Sequence, residues 1–387
     1  MEYKLKEILN FHNHKRVPLS KMQRNQKSFS KYPYYGAQGI IDYIDNYIFD
    51  GTYLLIAEDG ENLRSRKNNI ATIAKNKFWV NNHAHILSVK ENFNIYYILY
   101  LINSMDISGY LTGTVQPKLS KKNLESVILN IPEKNIQDKI GDLIVNIENK
   151  INTNDKLIAN LEELSQILFK RWFIDFEFPN EEGVPYKSSG GEMIDSEIGE
   201  IPKGWEISKL DKIINIKSGK RPRNKVNIMD NKNKTPIIGA SKIMGYTSDY
   251  LESEPILVMG RVGTHGVIQR FNNNVWPSDN TFIIKSKFMI YSYFILINID
   301  YKSLNRGSTQ PLLSQKDIKN INIIIPKSDN LIVKYEEITN IYFKEIDVIK
   351  DQISYLIELR DTLLPKLMSG ELEIPDDIEV NIDEFSI

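Results

Sequence analysis

From Ile140 onward the apolar positions fall at alternating steps of four and three: Ile140, Ile144, Ile147, Ile151, Asn154, Ile158, Leu161, Ser165, Leu168 and Trp172. The same rhythm returns at Tyr335, Thr339, Tyr342, Ile346, Ile349, Ile353, Leu356, Arg360, Leu363 and Leu367. Steps of four and three average 3.5 residues, the seam of a left-handed coiled coil. The pattern predicts two long helices, and a single Asn154 in the seam fits a residue that fixes register. About thirty residues of helix span on the order of 50 Å, more than one small domain covers. The economical solution is that the helices pack on each other, antiparallel if the repeats are related by a pseudo-two-fold axis. The alternative is that each lies on its own domain. Pro365 is expected to kink or end the second helix, with Ser369-Gly370 just beyond.

Outside the heptads the period drops to that of strands. YLLIA (53–57), ATIA (71–74) and HILSV (85–89) are matched later by TPIIGA (235–240), PILVMG (255–260), GVIQRF (266–271) and TFIIKS (281–286). Two helical stretches, NIYYILYLINS (94–104) and MIYSYFILINI (289–299), each precede one copy of a repeated motif. TGTVQPKLSKKNL (112–124) returns as RGSTQPLLSQKDI (306–318), with Gly113 and Gly307 separated by 194 residues. Each copy runs into an apolar strand closed by Ile-Pro, at Pro132 and Pro326. That period is too long for a solenoid unit and marks a duplicated domain plus helix. The halves align again through YYGAQGI (34–40) against IIGASKIMG (237–245), and FWVNNHAHIL (78–87) against VWPSDNTFII (275–284), but diverge between these anchors. The expected fold is α+β: two strand-rich mixed domains, 1–133 and 206–327, and two spacer helices, 134–178 and 328–372, forming an antiparallel coiled coil. A connector (179–205) and an acidic tail (373–387) complete the chain.

Charge changes this picture where composition does not. The 387 residues are 41% hydrophobic, enough for two cores, and the absence of cysteine excludes disulfides, thiolate zinc sites and a cysteine nucleophile. MEYKLKEIL has no apolar leader-like run and no stretch approaches the roughly 20 apolar residues of a membrane span, so a cytoplasmic protein is expected. The net charge is only −1, yet residues 1–133 hold 17 Lys and Arg against 12 Asp and Glu, and 207–327 hold 19 against 8. Positive charge therefore collects in the two strand-rich domains, where a polyanion could be held.

No catalytic motif accompanies it. An amino-methyltransferase needs an Asn/Asp-Pro-Pro-aromatic turn for the flipped base, and the chain contains no Pro-Pro. SGK at 218–220 is followed by Arg221, so no phosphate loop is completed. Pro375-Asp376 suggests a nuclease carboxylate motif, but PDDIEVNIDEF has no lysine. His12 with His14, and His83 with His85, form HxH pairs that lack a third ligand, and no metal site is expected. Gly260, Gly263 and Gly266 are misspaced for a dinucleotide fingerprint and read as a tight hairpin.

The duplicated unit, the matched loops (Gly113, Gln116, Pro117, Leu119, Ser120 with Gly307, Gln310, Pro311, Leu313, Ser314) and the Ile-Pro endings together resemble the specificity subunit of type I restriction-modification enzymes. So do LFKRWFIDFEFP (168–179), SEIGEIPKGWE (196–206) and LRDTLLPKLMSGEL (359–372). Each is weak alone; their order and spacing over nearly the whole chain are specific. The resemblance implies a non-catalytic reader of double-stranded DNA, each recognition domain taking one half of a split asymmetric site. It implies two methyltransferase subunits docked on the helical spine, and restriction/translocase subunits in the restricting form. No cofactor belongs to this chain; S-adenosylmethionine would reside in the methyltransferase, and ATP and Mg in the restriction subunit. Half-sites read from one side of a duplex lie about one turn, roughly 34–36 Å, apart, an interval a long helix pair can set. The competing reading is a coiled-coil protein-interaction adaptor without sequence-specific DNA reading.

Within the second domain, Arg261 and His265 flank the glycine hairpin, and arginine bidentate to guanine is the commonest specific base contact. KSGKRPRNK (217–225) brings Lys217, Lys220, Arg221, Arg223 and Lys225, better suited to gripping phosphates; Lys242 and Arg270 add to it. The first domain offers Arg16, then Lys21, Gln23, Arg24 and Lys27 in KMQRNQK (21–27), then Arg64 and Arg66 in LRSRK. Gln23, Asn25 and Gln26 could read adenine. Gln116 and Gln310, common to both copies, cannot make the halves read different sequences.

Overall fold

The structure, a computed structural model, describes residues 1–25, 31–262, 266–301, 304 and 312–375. The chain divides into two compact units, Met1–Asn154 with Gln352–Ile387, and Asp155–Asp351. Each long helix contributes one part to each unit.

The first unit is three layers deep. Its central sheet has the antiparallel order Leu9–Phe11, Ala84–Val89, Tyr53–Ala57, Ala71–Ala74. Leu54 and Ile56 face a core completed by the helix Ile95–Ser104 and by Ile140, Ile144 and Leu367 of the long helices. Leu55, one residue out of phase, faces a second core with Phe49, Phe78, Val80 and Ile86. Burial on both faces explains why YLLIA is continuously apolar rather than alternating. The outer layer is a small sheet ordered Gly39–Ile44, Tyr32–Gly36, Lys77–Val80, Phe49–Asp50.

The second unit repeats this plan. Ile214–Ser218, Thr281–Ser286, Ile256–Gly260 and Ile268–Phe271 form the central sheet in the same order. Leu257 and Met259 face the helix Met289–Ile297, while Ile256 and Val258 face the small sheet of Ile243–Thr247, Thr235–Ile238 and Trp276–Pro277. The bulge between Tyr34 and Tyr35 recurs between Ile237 and Ile238, and the parallel pairing with the Trp79 strand recurs with that of Trp276. In each unit the Ile-Pro strand pairs with the first strand of the domain: Glu2–Lys4 with Ile128–Asn130, and Trp205–Lys209 with Asn322–Pro326.

The repeated motif contains a short helix in both copies. Ser120 accepts a hydrogen bond from the Asn123 N–H and Ser314 from that of Asp317, so the Leu-Ser dipeptide is an N-cap for Lys121–Ser126 and Gln315–Lys319. Gly307, Gln310 and Pro311 of the second copy lie outside the described residues.

The long helices run over Lys134–Phe169, continued by a wider turn to Ile174, and over Asn330–Ser369. Within the first unit Asn154 Nδ2 donates to Gln352 Oε1 at 3.3 Å and Arg360 Nη1 reaches Glu148 at 3.1 Å, an antiparallel pairing. Within the second unit the Tyr335 hydroxyl donates to the Ser165 carbonyl at 3.1 Å in the same sense. Ile144, Ile147, Asn154, Ile346, Ile349 and Leu356 are buried, and Ile151, Ile158, Leu161 and Ile353 half-buried. Phe343 fills the position expected of Tyr342. The two packing alternatives coexist, because the seams also enter the domain cores. Pro365 does not end its helix, which continues to Ser369. It is exposed, so the carbonyl its missing N–H leaves free is solvated, and the stop comes at Gly370 with φ 76°.

Candidate nucleic-acid interface

In both units the segment that follows the edge strand of the central sheet, Leu9–Phe11 or Ile214–Ser218, is bound down on the small sheet. In the second unit the Lys220 N–H donates to the Pro277 carbonyl at 3.0 Å and the Lys220 carbonyl accepts from Trp276 Nε1 at 2.7 Å. Six residues on, Val226 exchanges both backbone hydrogen bonds with Tyr246, at 2.9 and 2.8 Å. The basic run between these points is thus fastened at both ends. Gly219 serves close approach rather than looseness, because a Cβ there would lie 2.2 Å from the Ser278 carbonyl oxygen. Lys225 lays its stem over Gly245, where a Cβ would come within 2.7 Å of it. Lys220, Arg221, Arg223, Lys225 and Lys242 are exposed, and none has an acidic partner among the described residues.

The first unit uses the same anchorage. Trp79 Nε1 donates to the Val17 carbonyl at 2.6 Å, as Trp276 does to Lys220, and the Leu19 N–H reaches the Tyr34 hydroxyl at 2.9 Å. Arg24 lies over the hairpin as Lys225 does, but Asp42 occupies the place of Gly245 and accepts from Arg24 Nε at 2.7 Å. Arg24 also stacks on Tyr34 at 5.1 Å. The pairing with Arg24 holds the Asp42 carboxyl below its ordinary value. Gln23 and Ser20 cap the helix Lys21–Asn25 reciprocally, leaving Lys21 exposed.

Several expected contact residues are engaged inside their own unit. Arg16 donates to Glu58 at 2.6 Å and to the Asn82 and Ala84 carbonyls. Arg66, at φ 51°, donates to the carbonyls of Ile102, Asn103 and Met105 and so caps the helix Ile95–Ser104. Lys217 pairs with Glu252, and Arg270 pairs with Asp347 while stacking on Phe343 at 4.8 Å. Arg64 is exposed and reaches the Gly113 and Thr114 carbonyls of the repeated loop at 3.4 and 3.3 Å. Gln26, Lys27 and His265 lie outside the described residues.

Arg261 sits at the end of its central strand, its N–H on the Asn280 carbonyl and its own carbonyl accepting from Leu313 at 3.0 Å. Its guanidinium stacks on Phe282 at 5.6 Å, and Nε is buried with no partner among the described residues. The connection it opens is longer than a tight hairpin, since Met259 pairs with Ile268 and Val262 bridges instead to Leu312 of the repeated motif. Glu58 holds the matching position in the first unit, between the His83 carbonyl and the Leu119 N–H. Burial would raise its carboxyl, but Arg16, His85 and Lys118 bring it below the ordinary value. His85, fully buried, bonds the Leu119 carbonyl at 2.7 Å and Asn13 at 2.8 Å, and desolvation holds its pKa down. The HxH histidines turn to different partners, Ser88 for His12 and Asp59 for His83. Among the described residues no three potential ligands converge on a metal position, and no helix is long and apolar enough to cross a membrane.

Two features were not singled out from the sequence: the Trp79 and Trp276 clamps, although both tryptophans stand in the matched anchors FWVNNHAHIL and VWPSDNTFII, and the exposed hairpin tips Ile40–Ile41 and Ile243–Met244. Adjacent apolar residues on one strand point to opposite faces, so both are buried only where both faces are covered, and the small outer sheet has one covered face.

Known proteins resemble this chain in sequence or in fold. The MjaIX type I restriction enzyme specificity subunit of Methanocaldococcus jannaschii is 28% identical over 336 residues, 79% of this chain and 75% of the relative. The HindI type I restriction enzyme specificity subunit of Haemophilus influenzae is 22% identical over 413 residues, covering 84% of each. The crystal structure of a type I restriction-modification S subunit from M. genitalium superposes with a TM-score of 0.64 over 98% of this chain and 96% of the other, at 17% identity, a likeness of fold. Residues 1–163 and 202–356 both match the type I restriction modification DNA specificity domain, so the chain belongs to that family.

Proposed function

We propose that this chain is the DNA-reading, non-catalytic subunit of a type I restriction-modification complex. Each unit takes one half of a bipartite, asymmetric site. The observation that carries this reading is the basic segment fastened across the small sheet in both units by the same tryptophan clamp. A shared clamp holding different side chains is what two recognition surfaces on one frame require. The exposed heads of Lys220, Arg221, Arg223 and Lys225 suit phosphates, and Arg261, at the end of its strand, suits a base edge. Arg16, Arg66, Lys217 and Arg270 hold the frame on this reading rather than the DNA.

The helices set the interval between half-sites and dock two methyltransferase subunits. Within the second unit they leave Leu157, Leu164, Ile341 and Val348 exposed at heptad spacing, outside the buried seam, a surface that fits a protein partner. Restriction/translocase subunits would join in the restricting form, with S-adenosylmethionine, ATP and Mg held by the partners.

The test is to co-express the chain with its cognate methyltransferase and map methylated adenines in the host genome. A split motif with a fixed gap is expected. A continuous short motif would overturn the two-part reading, and the absence of salt-dependent DNA binding by the methyltransferase complex would favour a protein adaptor.

A further inference from the structure

The small-sheet hairpins expose apolar side chains in a position that is the same in both units. Tyr35 pairs with Ile40 and Gly36 with Gly39; Ile238 pairs with Ile243, and the Gly239 N–H closes the turn on the Lys242 carbonyl at 2.8 Å. At the tips Ile40 and Ile41 are 47% and 53% exposed, and Ile243 and Met244 are 49% and 41% exposed. These tips are built features. A Cβ on Gly36 would meet Ile41 at 3.1 Å and one on Gly239 would meet Met244 at 2.8 Å, so in each unit the second apolar side chain lies back over the glycine of its own turn. The glycines make room for a flat apolar platform.

Beside the second unit's platform stand two cations. In the second unit Lys242 is in the turn, and Lys225 is stretched over Gly245 of the same hairpin. An exposed apolar patch with cations beside it fits a polyanion with an apolar feature between its charges. Duplex DNA has one: the major groove admits a two-stranded β-ribbon, and thymine presents its C5-methyl there between the phosphate rails. An acidic protein surface would match the cations but leave the platform uncovered.

We propose that the hairpin tips Ile40–Ile41 and Ile243–Met244 enter the major groove of their respective half-sites and contact thymine methyl groups, while in the second unit Lys225 and Lys242 hold the flanking phosphates. The proposal rests on the DNA-reading function above and assigns an apolar component of specificity to residues outside the basic loops. Because the tips differ, Ile-Ile in one unit and Ile-Met in the other, the methyl each can seat differs too.

The experiment uses the complex of the full chain with its methyltransferase, and duplexes carrying the mapped motif. Thymines are replaced by deoxyuridine, which lacks only the methyl, in one half-site at a time. The unaltered complex should bind each substituted duplex about fourfold more weakly per methyl contacted, the worth of one buried methyl group. With Ile243→Ser and Met244→Ser together, the complex should bind thymine and deoxyuridine duplexes equally in the second unit's half-site and keep discrimination in the other; Ile40→Ser with Ile41→Ser should do the reverse. All four residues are exposed, so melting temperatures should hold. Indifference of the unaltered complex to deoxyuridine in both halves overturns the proposal. So does full discrimination by the serine variants, or loss of the methyltransferase on gel filtration with discrimination intact. If no bipartite motif is found at all, the failure lies with the two-part reading itself.

Discussion

Glu58 and Arg261 occupy equivalent backbone positions, each with its carbonyl accepting from the leucine of the repeated motif, Leu119 at 2.8 Å and Leu313 at 3.0 Å. Their surroundings differ as their charges do. Arg16, Lys118 and His85 surround the carboxylate, so it belongs to the support of the loop; the guanidinium has a ring beneath it and an Nε unpartnered among the described residues. Arg261→Ala should therefore relax base choice at one position at a cost of about 1–3 kcal/mol on the preferred site. Lys220→Ala should weaken all sequences about equally and lower the salt slope by about 1. Binding to a panel of single-base variants of the mapped site separates the two, and equal loss on every sequence from both would refute the division. Glu336 gives a pH dependence. It accepts the Tyr291 N–H at 2.8 Å, and burial raises its carboxyl above the ordinary value. A group so raised contributes fully below its unfolded value, and that contribution is lost as pH climbs through the raised one. Glu336→Gln keeps an acceptor without the charge. It should melt higher than the parent at pH 7 to 8, with the gap closing on acidification below about 4.5. A gap independent of pH would exclude this origin.

At the scale of elements the same helix is capped by two different devices. In the first unit Asn94 accepts from Tyr96 and Tyr97 N–H, and Gly141 of the long helix leaves room for it; a Cβ there would lie 2.7 Å from Asn94 Oδ1. In the second unit the preceding residue is Phe288, without a side-chain cap, and Glu336 reaches in from the long helix instead. Gly141→Ala should thus destabilise even though alanine favours helix by about 1 kcal/mol, because displacing the Asn94 cap costs about 1–2 kcal/mol and the contact adds strain. A thermal melt that rises would refute this. Such swaps explain what the pattern of the chain conceals. Strands, seam and duplication were legible because they rest on periodicity, which survives divergence. Pro365 misled because a proline's cost depends on whether its orphaned carbonyl sees water, a fact of tertiary position. Of the candidate contacts, Arg66 and Arg270 have partners inside their own unit that no pattern announces. Composition marks a cation, whereas only the fold places the carbonyls or the Asp347 that engage it.

For the whole molecule, the asymmetry of charge becomes a prediction about where salt acts. The second unit keeps Lys220, Arg221, Arg223 and Lys225 exposed without acidic partners among the described residues, whereas in the first unit Arg16 and Arg24 are neutralised by Glu58 and Asp42. Only unneutralised cations that meet phosphates release counterions, each contributing about 0.9 to the slope of log K against log salt. Changing Lys220, Arg221, Arg223 and Lys225 together to glutamine should flatten that slope by about 3–4 units. The melting temperature should barely move, since the clamp acts through the Lys220 backbone. Replacing Arg16 and Arg24 should do the opposite, lowering stability by leaving Glu58 and Asp42 without their partners while scarcely changing the slope. The measurement is a salt titration of the methyltransferase complex on its mapped site, with a melt of each variant alongside. If the quadruple variant keeps the parental slope, the fastened segment does not meet phosphates, and the DNA must lie on another face of the second unit.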